Sequence, residues 1–188
     1  MFSVQEYIQL QISRDPSDMD AILTPPKGVD TGAWIYEHVR VITTDIARLI
    51  ADLANNPEAP CNAENCPVMI CTEDCQVRCA CHGPTPVACA AIDYIAHLHS
   101  MTTTTLCSNK WFPDRSRVQQ EGIDQLSAIM RRMYRVLAHA RHHHAATFVA
   151  FERETKLTKR FLQLASRFNV VPESHLSVPP MDLDKLSC

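Results

Sequence analysis

The sequence predicts an all-α fold: a helical bundle with one irregular, cysteine-rich loop region tied down by a metal. Three observations carry this. Apolar residues recur at steps of three and four along several long segments. Glycine is scarce, at 4 in 188 residues, which disfavours an all-β fold full of tight turns. Residues 57–89 lack helical period and are rich in Cys, Pro and small side chains.

The elements follow in order. Val4, Ile8 and Ile12 stand at four-residue steps and predict a short amphipathic helix. Ser17 to Ile22 reads as a second helical turn with Ser17 as cap. Pro25-Pro26-Lys27-Gly28 breaks the chain. Thr31 then caps a long helix carrying Ile35, Val39, Ile42, Ile46, Leu49 and Leu53 as one stripe, which Asn55-Asn56-Pro57 ends. The stripe lasts only about three heptads, so bundle core suits it better than a coiled coil. Residues 57–89 read as a metal loop with room for a short β-hairpin.

Ala90 to Leu106 is a further helix, although Thr102 to Thr105 favours extended or capping geometry. Phe112-Pro113-Asp114 is a break. Val118 to His144 is the central helix, with Ile123, Leu126, Met130, Met133 and Leu137 in phase. The pattern continues from Ala145 to Phe168 through Phe148, Phe151, Leu157, Phe161 and Leu164. Val178-Pro179-Pro180 opens a polar tail. The expected organisation is a single domain over 1–180 and a flexible tail over 181–188, without internal repeats.

Composition narrows the function classes. A net charge of -3 argues against a general nucleic-acid coat. No run approaches the roughly 18 apolar residues of a membrane span. The start, Met1-Phe2-Ser3-Val4-Gln5-Glu6, has neither the basic nor the apolar region of a signal peptide. The cysteines number nine, an odd count, so a reducing compartment is expected, with thiols on metal or in the core. Cys188 stands last, which excludes a prenylation box. Nothing supports an enzyme: there is no phosphate-cradling Gly-rich loop, and neither the His-x-Glu nor the Pro-Cys-x-x-Cys of a zinc deaminase occurs.

Two pairs carry metal chemistry. Cys61-Asn-Ala-Glu-Asn-Cys66 offers two thiolates, and His139-Ala-Arg-His-His-His144 offers two imidazoles with the same gap. Two sulfurs and two nitrogens suit a closed tetrahedral zinc site, and both spacings fall within the usual windows. Such a site is structural, because it leaves no open position for catalysis. Helix geometry leaves one ligand open. Residues four apart share a face, whereas residues five apart point about 140° away from each other. His139 and His143 form the natural pair on an undistorted helix, and His144 serves only if the helix loosens or ends there. The bland alternative is loop thiols beside a solvated histidine run.

Two further features are weaker. Cys71, Cys75, Cys79, Cys81, His82 and Cys89 cluster in sequence, but the gaps among the first four match no common zinc knuckle. Free thiols are the expectation there, with a second metal left open. Arg131, Arg132 and Arg135 lie within about one helical turn, Arg131 and Arg135 on one face. Guanidinium forks suit phosphate or carboxylate, and a solvated helix face is the alternative.

Several segments together resemble the Mob/phocein family, on its phocein branch. They are Val4-Gln5-Glu6-Tyr7-Ile8, Pro25-Pro26-Lys27-Gly28, Trp34-Ile35-Tyr36-Glu37-His38, Ala91-Ile92-Asp93-Tyr94, Ser108-Asn109-Lys110-Trp111-Phe112-Pro113 and Arg131-Arg132-Met133-Tyr134-Arg135-Val136. The Ser-Asn-Lys-aromatic-Phe-Pro string marks the branch. The resemblance spans about Val4 to Pro180. It implies a Mob-type helical bundle with one structural zinc on Cys61, Cys66, His139 and His144, choosing His144 over His143. It also implies a non-catalytic adaptor rather than an enzyme. The implied partners are a striatin-like scaffold protein and, through that complex, phosphatase 2A subunits and a germinal-centre-type kinase. The implied location is the cytoplasm, peripheral on endomembranes through the complex. In kinase-activating relatives the positions of Arg131, Arg132 and Arg135 receive phosphorylated peptide. Two departures stand out: an N-terminus shorter than is typical of the branch, and a Cys71–Cys81 stretch richer in cysteine, with a small insertion before Ala91.

Overall fold

The apolar stripe over residues 35–53 becomes the axis of the molecule. The computed structural model describes residues 3–73, 75–172, 174 and 176. Its elements are α1 (Val4–Arg14), α2 (Met19–Leu23), α3 (Thr31–Ala54), α4 (Ala91–Leu106), α5 (Gln120–His143), α6 (Ala145–Thr155) and α7 (Leu157–Arg167). Helix α3 touches α1, α4, α5, α6 and α7, because its buried residues run almost all the way round its first turns. Ile42, Ile46 and Leu49 meet Leu126, Met130, Met133 and Leu137 of α5 in one continuous core. Ile8 of α1 covers Trp34 and Val41 in a smaller cluster.

Caps set the helix starts. Ser3 and Glu6 form a capping box at α1: the Glu6 amide donates to Ser3 Oγ at 3.2 Å and the Ser3 amide to Glu6 Oε2 at 2.6 Å. Helix α2 is capped by Asp18 and not by the expected Ser17, and α3 by Asp30 and not by Thr31. In both helices the carboxylate of the residue just before the first turn reaches a free amide and, being charged, complements the positive helix end. Thr102 to Thr105 is helical in fact. The Thr103 and Thr105 hydroxyls donate back to the carbonyls of His99 and Met101, at 3.0 and 2.8 Å, which removes their competition with the backbone.

The stretch from Ala145 to Phe168 is two helices, broken at Lys156, whose φ is 50°. Lys156 offers α7 no side-chain cap. Buried Glu152 supplies it from the preceding helix, accepting from the Thr158 and Lys159 amides at 2.9 and 3.2 Å. Buried polar groups tie the layers. Trp34 Nε1–H donates to the Leu23 carbonyl at 3.2 Å, and Tyr36 Oη–H to the Leu106 carbonyl at 2.7 Å. Arg160, almost fully buried on α7, pairs with Asp45 of α3.

The expected β-hairpin is reduced to two isolated antiparallel bridges, Ile70 with Gln76 and Cys79 with Val87. Among the described residues no helix is long and apolar enough to cross a membrane. The tail expected over 181–188 lies outside the described residues.

Candidate metal centre

The loop after α3 is shaped by asparagines. Asn56 Oδ1 accepts from the Glu58 and Ala59 amides at 2.9 and 3.0 Å, which turns the chain back on the end of α3. The Cys61 amide then donates to the Leu53 carbonyl at 2.8 Å. Asn62 repeats the device, accepting from Glu64 and Asn65 at 3.0 and 2.8 Å. The Cys66 amide closes that turn on the Asn62 carbonyl at 2.9 Å. The two thiols of the Cys-x4-Cys segment are thereby brought to one side of the loop.

The histidines come from the far end of α5. That helix ends at His143, and His144 takes φ -135° and ψ 48° between α5 and α6. The break swings the His144 ring toward His139, which an unbroken helix would not do. His144 is buried, whereas His143 is exposed. Cys61 Sγ lies 3.5 Å from His139 Nε2, and Cys66 Sγ lies 3.4 Å from His144 Nε2. All four ligand atoms fall within 4.8 Å of one another. In a tetrahedral zinc site, bond lengths of about 2.3 Å to sulfur and 2.0–2.1 Å to nitrogen put sulfur and nitrogen about 3.6 Å apart. The donors therefore fit that group in kind and in spacing.

The surroundings orient the ligands. His139 Nδ1–H donates to the Ile70 carbonyl at 2.8 Å, which leaves the Nε2 lone pair facing the thiols. Burial pushes the Cys61 thiol up to about 12, aided by the neighbouring Cys66 thiol. Burial also lowers His139 to about 4. Such a pocket disfavours bare thiolates, and a bound dication reverses that by supplying the missing charge.

The arginines of α5 form a second locus. Arg131, Arg132 and Arg135 border one cavity of about 500 Å³, together with Cys71, Cys75 and Tyr134. Arg135 donates to Tyr94 Oη at 2.9 Å, so α4 steadies one guanidinium. Cys71 and Cys75 thus belong to the arginine cavity. Burial, and then the neighbouring Cys79 thiol, push the Cys81 thiol up. Pairing stops at Cys79, and the Cys81 thiol meets Met101 Sδ at 3.1 Å. Sequence reasoning missed His97, on α4, which lies against Cys79.

These features define a class: an all-α protein with a closed Cys/His group that could hold a metal ion. The Mob1/phocein family model matches residues 11–179. The chain is 40% identical over 177 residues to MOB-like protein phocein of Caenorhabditis elegans, covering 94% of this chain and 77% of that protein. It is 37% identical, with the same coverage, to MOB kinase activator-like 4 of Drosophila melanogaster. MOB kinase activator-like 1A of Arabidopsis thaliana is 26% identical over 165 residues, 84% of this chain and 74% of that one. The chain belongs to the Mob1/phocein family and is adaptor-like in kind.

Proposed function

We propose that this chain is a non-catalytic, zinc-containing adaptor subunit that binds a striatin-like scaffold in a signalling assembly with phosphatase 2A subunits and a germinal-centre-type kinase. The observation that carries the reading is its 40% identity, over 94% of its length, to a protein named a MOB-like phocein. Cys61, Cys66, His139 and His144 would hold one zinc. The ion would supply folding free energy by joining the loop after α3 to the α5–α6 junction. The chain's own residues do the rest. Asn56 and Asn62 shape the thiol loop, and the Ile70 carbonyl holds His139 in its metal-binding tautomer. Four protein ligands fill a tetrahedral ion, which favours a structural role over catalysis. The proposed location is the cytoplasm, peripheral on endomembranes through the complex.

Affinity purification of the full chain with mass spectrometry tests the reading. Co-purification of a striatin-like scaffold with phosphatase 2A subunits is the expected result. Recovery of an NDR-type kinase without the scaffold would overturn it.

A second reading rests on one observation, the convergence of Arg131, Arg132 and Arg135 on a single cavity. In that reading the chain is a kinase co-activator that takes a phosphorylated peptide there. Paired guanidinium forks on a phosphate give strong, salt-sensitive binding. Titration with a phosphopeptide separates the two. Binding that is lost in the triple alanine variant supports the co-activator. Scaffold binding retained without phosphopeptide binding supports the adaptor alone.

A further inference from the structure

We propose that Cys71 and Cys75 are a redox-modification site, a thiol pair on the wall of the arginine cavity that a hydroperoxide closes into a reversible disulfide. The backbone sets the two residues opposite each other. Ile70 pairs with Gln76 in an antiparallel bridge, so Cys71 and Cys75 are the next cross-strand pair toward the reversal. The Cys71 amide donates to the Cys75 carbonyl at 2.8 Å, and the Cys75 amide to the Thr72 carbonyl at 3.0 Å. Residues opposed in this way have Cα atoms about 4.5–5.5 Å apart. A disulfide spans roughly 4.4–6.8 Å between Cα atoms, so this one needs no large backbone movement.

Burial assigns the two thiols different parts. Cys71 is buried and Cys75 is exposed. Burial, and then the neighbouring Cys75 thiol, push Cys71 up to about 12, which the Arg135 guanidinium opposes. Cys75 is therefore the attacking thiol and Cys71 the resolving one. The Cys75 sulfur attacks one oxygen of hydrogen peroxide. The S–O bond forms as the O–O bond breaks, and the other oxygen leaves with the thiol proton as water, giving a sulfenic acid. The Cys71 thiol then attacks the Cys75 sulfur. The S–S bond forms, the S–O bond breaks, and the hydroxyl leaves with the Cys71 proton as a second water. Two sulfurs are oxidised and both peroxide oxygens are reduced. Burial penalises a thiolate at Cys71 but not an uncharged disulfide, so the site suits the product.

The other close thiols are engaged elsewhere. Cys61 and Cys66 face His139 and His144, and Cys79 and Cys89 stand with His82 and His97 in a second Cys/His group. Among the described residues neither group takes in Cys71 or Cys75. Thr72, inside the closed loop, lines the cavity with Arg131, Arg132 and Arg135. The oxidation state thus sets the wall that faces the three guanidinium groups. A link of this kind is of the transient, redox-sensing type that reducing compartments allow.

The test is a hydrogen peroxide titration of the full chain, purified in reductant and exchanged into buffer without it. Alkylation under denaturing conditions with a chelator follows, then digestion with trypsin and a glutamate-specific protease. Cleavage after Glu64, Glu73 and Arg78 puts Cys71 on residues 65–73 and Cys75 on residues 74–78. Mass spectrometry should find these two peptides joined and lighter by two hydrogens, with the alkyl group on Cys66. Dithiothreitol should separate them. Cys71→Ser should lose the link and leave Cys75 as a sulfenic acid that dimedone traps. Cys75→Ser should keep Cys71 reduced at the dose that closes the wild type. If Cys71→Ser fails to fold, the wild-type peptide map decides. Cys75 joined to Cys66 or to another cysteine would overturn the proposal. So would Cys71 and Cys75 both alkylated at a dose that oxidises the exposed Cys107.

Discussion

His38 should make this protein sensitive to mild acid. It lies on α3, fully buried, with its ring edge-on to Trp34 at 4.7 Å. Neither ring nitrogen has a hydrogen bond of good geometry. Burial, and then the nearby Arg160 guanidinium, lower it from 6.5 to about 3, and the Ile22 backbone offsets only part of this. Because the folded value is depressed, the unfolded chain binds the proton more readily. The stability from keeping this imidazole neutral is fully present above pH 6.5 and falls as pH drops from there toward 3. At pH 5 the gap is one and a half pH units, at about 1.4 kcal/mol each, so the loss is about 2 kcal/mol. Urea unfolding at pH 7 and pH 5 measures it, with His38→Phe as the comparison, because that variant keeps an aromatic ring and cannot titrate. The wild type should lose about 2 kcal/mol more than the variant between the two pH values. Parallel losses would refute the reasoning, since the other titrating groups are common to both proteins.

Three further outcomes are expected. His144→Ala should cost one zinc per chain and His143→Ala none, measured by native mass spectrometry; the reverse pattern would make His143 the ligand. Asp45→Ala should destabilise by about 3–5 kcal/mol in urea unfolding, because it leaves the buried Arg160 guanidinium without its carboxylate. Arg160→Met should cost less, since the Asp45 left behind is partly exposed to water. Glu152→Ala should cost about 1–2 kcal/mol by the same assay, by freeing two amides at the start of α7.

The bundle was legible because its long helices carry their burial as a period. The stripe from Ile35 to Leu53 and the phase of Leu126, Met130, Met133 and Leu137 both lie in the one core. Caps were less legible, because Ser17 and Thr31 compete with the adjacent Asp18 and Asp30, and the choice depends on how the chain enters the helix. The break at Lys156 left no sequence mark: lysine is a good helix former, and the left-handed turn is stabilised by Glu152 capping the next helix.

The first Cys/His group was readable as spacing, yet helix periodicity pointed to His143. The end of α5 at that residue is a tertiary event, and it swings His144 inward. The second group was hidden for a different reason. Its fourth member, His97, stands on a helix that reads as ordinary bundle, and only the closure of Cys79 on Val87 turns the loop toward it. Counting cysteines in a row grouped Cys71 and Cys75 with them, whereas the fold sends those two thiols to the arginine cavity.

X-ray absorption at the zinc edge, on the full chain purified in reductant, tests the central claim most directly. The account expects zinc surrounded by two sulfurs at about 2.3 Å and two nitrogens at about 2.0–2.1 Å. Protein that holds no zinc, or zinc with a shell of oxygen and nitrogen alone, would contradict it.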